Sequence, residues 1–159
     1  GIMKKFVGII GVDSGQIVIC DPCYIDSQWK EEKFENNSRY KVIADGTVLE
    51  YPKDFSNYGV VIEQYGKDMN QMIKEKLVEE LPAPPAKHNF SYNACCKATL
   101  SPDGFGQLNY EIGHPGIAVA SCTCYGDGMY PVYANVDNHG RVKSIIIDFL
   151  NDTNVVDEE

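Results

Sequence analysis

The chain of 159 residues lacks several things that would point to a familiar chemistry. It has no apolar run close to the ~18–20 residues that a membrane-crossing helix needs. Its 14 Lys and Arg stand against 23 Asp and Glu, and the formal charge is −9. The cations are scattered, with no basic cluster interleaved with aromatics. A field of that sign repels phosphate backbones and anionic lipid heads, so neither nucleic acid nor membrane is expected as a partner. No glycine-rich loop carries the lysine of a nucleotide-binding turn, and no helix follows "GVDSGQ" or "GDG". The loop "NVDNHG" has no glutamate at its end, which excludes a calcium loop of the helix–loop–helix kind. There is no internal repeat. The start "GIMKKFVGIIGV" has too short an apolar stretch for an export signal and no small-residue cleavage site. Gly1 and Ile2 read as a cloning remnant ahead of a natural start at Met3, and the expected location is the cytoplasm of a bacterial host cell. In that compartment the six cysteines are expected to be free thiols.

What the chain does have is tyrosine, ten against the single Trp29, and runs of β-branched residues. Tyrosine suits half-buried strands and the rims of ligand sites, because an apolar ring carries a polar tip. Strands are expected at 4–10 and 15–20, joined by the turn "GVDSG". A hairpin is expected around Asp45-Gly46, a strand at 58–66, and further strands at 89–100, 116–125, 129–136 and 141–150. A short helix is expected over 26–35. A longer one is expected over 67–81, where Met69, Met72, Ile73, Lys76 and Leu77 share a stripe and "PAPPA" follows as a stiff stop. The expected fold is mainly β: a small antiparallel barrel or sandwich of about 8–9 strands in one domain over 3–150, with one covering helix near 67–81. The helix and proline run, 67–88, read as an insertion, its methionine stripe a packing face for the core or a twin subunit, so a homodimer is one expected state. The end, 151–159, reads as a polar tail.

The stretch "CTCYGDGMYPVY", 122–133, carries the densest signal. Gly126-Asp127-Gly128 is a turn in residues that tolerate positive φ. Pro131 directly after it breaks a strand ladder, which implies an edge or a bulge, and bulges re-aim side chains beside sites. Asp13, Asp21 and Asp127 each stand at a strand end. Were two of them to meet, one would hold a proton and general acid–base hydrolysis would be open; each could instead accept main-chain N–H bonds of its own turn. Cys23 in "DPCYID" could serve as a thiolate if a base such as His114 stood beside it; His88 and His139 read as exposed loop residues. Cys20, Cys23, Cys122 and Cys124 form C-x-x-C and C-x-C pairs that could hold tetrahedral zinc, though without the turn residues of a zinc knuckle. Buried free cysteine is the preferred reading, and no cofactor is expected.

Two stretches, "GVDSGQIVICDPCY" and "YGDGMYPVYANVDNHGRVKSIIIDF", resemble an uncharacterised family of phage, prophage and bacterial proteins. The resemblance rests on Asp13, Ser14, Gly15, Asp21, Pro22, Cys23 and Tyr24, then on Gly126, Asp127, Gly128, Tyr130, Pro131, Val132 and Tyr133. "ACCKATL" matches less specifically, and 26–90 lies outside it. The family carries no assigned reaction, so the resemblance implies a phage-type accessory protein and no catalytic residue. The expected function is binding of a small ligand or a host protein, with counter-defence as the context. The expected ligand-binding residues are Asp21, Cys23, Tyr24, Asp127, Tyr130 and Tyr133, on a recess where the Asp-Pro-Cys-Tyr and Gly-Asp-Gly corners meet. The alternatives are a hydrolase built on Asp21 and Asp127 or on Cys23, and an assembly protein without a pocket.

Overall fold

The computed structural model describes residues 1–150; the expected tail, 151–159, lies outside the described residues. The fold is mainly β, as the alternating patterns imply. Among the described residues, nine strands form three separate antiparallel sheets and do not close into a barrel. The first sheet has the order β1-β8-β9, from Met3–Val12, Gly128–Val136 and Val142–Ile147. The second has β2-β7-β6, from Gln16–Cys20, Pro115–Cys122 and Phe105–Asn109. The third has β4-β3-β5, from Val48–Glu50, Arg39–Val42 and Val78–Leu81.

The first two sheets share one long ribbon. β1 runs into β2 through residues 13–15, and β7 runs into β8 through 123–127. β1 pairs with β8 while β2 pairs with β7, so the ribbon passes from one sheet to the next at a single corner. Small residues make that passage possible. Gly15 and Gly126 both take positive φ, 68° and 78°, where a Cβ would be strained.

The described residues build two hydrophobic cores. In one, helix α3 (Tyr92–Thr99) lays Ala94 and Cys95 on Leu108, Ile117, Ala118 and Ala120 of the second sheet. In the other, Tyr40, Val42 and Leu49 of the third sheet meet Phe55 and Met69 and Met72 of helix α2 (Met69–Lys74). Two strands of chain connect the cores, 30–38 and 82–91, and they run side by side. Lys30 and Ser91 form a parallel bridge, and Lys30 N–H donates to the Phe90 carbonyl.

Four expected elements differ. The helix over 26–35 is α1, Cys23–Gln28, and the chain then extends because Trp29 turns edge-on into Phe90, with ring centroids 4.9 Å apart. The helix over 67–81 stops at Lys74, and residues 78–81 become an edge strand on β3; pairing with Arg39–Val42 overrides helix propensity there. Residues 58–66 are turns with one isolated bridge, Ile62 to Lys67. The strand over 89–100 is α3, capped by Ser91, whose Oγ accepts from Ala94 N–H at 3.0 Å. Its run of Ala, Cys and Thr is short-chained enough to read either way, and the cap decides.

Candidate functional site

Asp127 stands at the ribbon corner. Its Oδ1 accepts from Gly15 N–H at 2.9 Å, across 112 residues of sequence. Thr123 N–H donates to the Gly15 carbonyl, its hydroxyl donates to the Gly126 carbonyl, and the Tyr130 hydroxyl reaches the same carbonyl at 2.7 Å. The Gly-Asp-Gly turn therefore meets the Val-Asp-Ser-Gly turn, and Asp127 is a positioning carboxylate that locks the bend. Tyr130 is buried beside Phe149. Tyr133 lies on the opposite face of β8, edge-on to Phe6, with Lys4 Nζ 4.5 Å over its ring.

The Asp-Pro-Cys-Tyr corner is elsewhere. In the β2–β7 register Cys20 faces Ala118, whereas Gln16 faces Cys122. The two corners thus sit at opposite ends of the strand pair, roughly 13 Å of strand apart at about 3.3 Å per residue. The structure does not bring Asp21 and Asp127 together, and no shared proton arises. Asp21 accepts from Cys23 N–H at 2.9 Å, and this bond, with the Cys23 thiol's own, holds its carboxyl below the usual range. The same contact raises the Cys23 thiol above its ordinary value, the reverse of what a thiolate nucleophile requires. Tyr24 points its hydroxyl at that of Tyr110, 3.2 Å away, and this pairing pushes Tyr24 up to about 12. Tyr110 in turn stacks on His114, centroids 4.5 Å apart. Tyr110 and His114 are thus the true neighbours of this corner.

The cysteines divide in the same way. Cys20 and Cys23 stand at one end of the strand pair, Cys122 and Cys124 at the other. All six cysteines are free thiols. Among the described residues no three His, Cys, Asp or Glu side chains converge on a metal-sized position. Burial raises the Cys95 thiol to about 11, so it behaves as a small apolar residue of the core.

A roomy recess lies between the two cores. A cleft of about 740 Å³ is walled by Phe34, by Leu81 with the proline run 82–85, and by Leu100 beyond the end of α3. Leu100 is 70% exposed and Phe34 41%, on its rim. Arg39 Nη2 donates to the Pro82 carbonyl and pins the proline wall. Lys97 is already engaged: its Nζ binds the Glu35 carbonyl at 3.0 Å and Asn37 Oδ1 at 2.6 Å. The carboxylates of Glu35 and Glu80, which also line the cleft, take no hydrogen bond among the described residues. A smaller cavity of about 100 Å³ beside Phe90 and Ile117 has room for a few waters only.

None of the expected ligand residues lines the cleft. Phe34 and Leu100 carry no periodic or turn signal, and their meeting depends on α3 being a helix. No helix among the described residues is long and apolar enough to cross a membrane. Comparison with family models, curated proteins and solved structures yields no match to this chain.

Proposed function

We propose that the protein is a phage- or prophage-type accessory protein that works by binding, and that it takes a small organic molecule into the cleft between its two cores. The cleft carries this reading. Its volume falls in the ~300–1,000 Å³ range of small-molecule sites, and junctions between cores are where such sites form. Its apolar walls are Phe34, Leu81, the prolines and Leu100, and its uncommitted polar groups include the carboxylates of Glu35 and Glu80 beside the side-chain amides of Asn36 and Asn37. The matching ligand has an aliphatic or aromatic body and a cationic or N–H donor group; phosphates are disfavoured by the same two charges. In a phage setting, such capture would serve counter-defence by sequestering a host signal molecule.

The test is native mass spectrometry of the chain after incubation with bacterial cytosolic extract. The expected spectrum shows one retained small molecule per chain, lost at least tenfold in Leu100→Glu and in Phe34→Ala. A chain that retains nothing, or both variants retaining as much as the parent, would overturn the reading.

A further inference from the structure

Among the described residues, no element packs on one face of the first sheet. Strand alternation puts Tyr130, Ala134 and Val136 of β8 on the inner face, where all three are buried. Met129, Pro131 and Tyr133 take the outer face. Register places Ile9 beside Pro131, and Phe6 and Ile146 on either side of Tyr133. The Phe6–Tyr133 ring contact confirms the shared face. At the far end Met129 lies against Gly11, where a Cβ would come within 3.2 Å of its sulfur. Phe6 is 60% exposed, Ile9 58% and Met129 70%. A monomeric three-stranded sheet does not ordinarily leave aromatic and aliphatic side chains in a row on water.

The ends of this face differ in charge. Lys4 stands on it at the start of β1, over the Tyr133 ring. Asp13 follows the end of β1, and Asp127 precedes β8; both are exposed. About 30 Å of strand separates Lys4 from Asp13, at some 3.3 Å per residue. Between the poles the row carries one charged residue, Asp148, which continues the β9 register beside Pro131 and is buried.

We propose that this face binds a second copy of the chain, sheet on sheet, about a two-fold axis lying between the sheets and perpendicular to the strands. The geometry of the poles selects both occupant and axis. That axis brings the Lys4 end of each copy over the Asp13 end of the other, two opposite-charge meetings per dimer. An axis along the strands would oppose lysine to lysine. Two chains of −9 repel at long range, and this face is where two copies present unlike charge. Contiguous apolar patches of a few hundred Å² mark interaction surfaces, and a specific interface buries roughly 800 Å² per partner. Facing sheets about 10 Å apart would bury Phe6, Ile9 and Met129 between them, the arrangement of a sandwich made from two chains. Edge-to-edge pairing through β1 is opposed by the bulge at Val7 and by Lys5.

Sedimentation velocity on the full chain across 1–200 µM tests this. The expected result is a dimer whose Kd rises more than a hundredfold in Ile9→Glu, with far-UV circular dichroism and melting unchanged at the monomer level. Lys4→Asp alone and Asp13→Lys alone should each weaken the dimer about tenfold at low salt, and the double swap should return it to within a few-fold of the parent. A chain that is monomeric at 200 µM would overturn the proposal. So would a dimer that survives Ile9→Glu in a folded variant, or one in which the double swap is no better than either single change. A dimer appearing only when the chain is cut back to residue 150 would also overturn it, by showing that 151–159 is the natural cover. None of these outcomes depends on the cleft.

Discussion

Glu32 shows how much one side chain holds in this fold. Its two oxygens accept from Lys87 N–H at 2.9 Å, His88 N–H at 2.8 Å, Ser91 Oγ at 3.1 Å and Asn93 Nδ2 at 2.8 Å. Desolvation acts to raise its carboxyl, but the four bonds together outweigh it and hold it down to about 2. A carboxyl lower in the folded chain than in the unfolded one stabilises fully above the unfolded value, 4.5, and that stabilisation fades as pH falls from there toward 2. In Glu32→Gln the new amide N–H₂ faces two donors and leaves both without an acceptor. Urea unfolding at pH 7 should show a loss of about 2 kcal/mol. The gap between parent and variant should narrow steadily between pH 4.5 and 2.5; a gap that stays constant would mean the charge is not what Glu32 contributes. At this scale the sequence is half legible. That Asp21 would accept a local amide follows from its turn, and it does so at Cys23. That Asp127 would accept from Gly15 does not follow, because the donor lies 112 positions away and only the ribbon corner brings it there.

At the scale of elements, α2 shows where pattern reading stops and why. The stripe Met69, Met72, Ile73 is real, and Asp68 and Gln71 close a capping box at its start. The end is written in backbone geometry. Lys76 takes φ of 57°, its N–H donates to the Ile73 carbonyl, and Leu77 N–H donates to Met72, the paired bonds of a helix ending in a left-handed residue. Glycine is the usual signal for that position, and a lysine there hides the boundary, so the helical pattern reads on to Leu81. Lysine in this region costs ~1–2 kcal/mol against glycine, while glycine loses some of that advantage through unfolded-chain entropy. Lys76→Gly should therefore stabilise the protein by roughly 0.5–1 kcal/mol, read as a raised melting temperature. A lowered melting temperature would show that the lysine side chain does more for the fold than its strained backbone costs. α3 is a second case: Ser91 caps it, while Phe90 and Tyr92 on either side make the stretch read as a strand.

For the whole molecule, the governing fact is that one chain carries two cores joined by two adjacent crossings, clasped by Glu32. The strands of the ribbon were legible because each alternates and ends at a glycine turn; the third sheet was legible only as the Asp45-Gly46 hairpin, since β5 was concealed in the supposed helix. Two cores with a narrow join should open separately. Met72 is fully buried in the core of the third sheet, and Met72→Ala removes about 2–5 kcal/mol of packing from that core alone. Hydrogen exchange read residue by residue should then show the amides of Tyr40–Val42 and Val78 exchanging at least thirtyfold faster, the equivalent of the low end of that range. The amides of Cys95–Thr99 in α3 and of Ala118–Ala120 in β7 should keep their parent rates. That asymmetry would also mean that the cleft is walled by two units of unequal stability, with the proline run moving with the weaker one. If both sets accelerate together, the join transmits unfolding, and the molecule is a single cooperative unit in spite of its two cores.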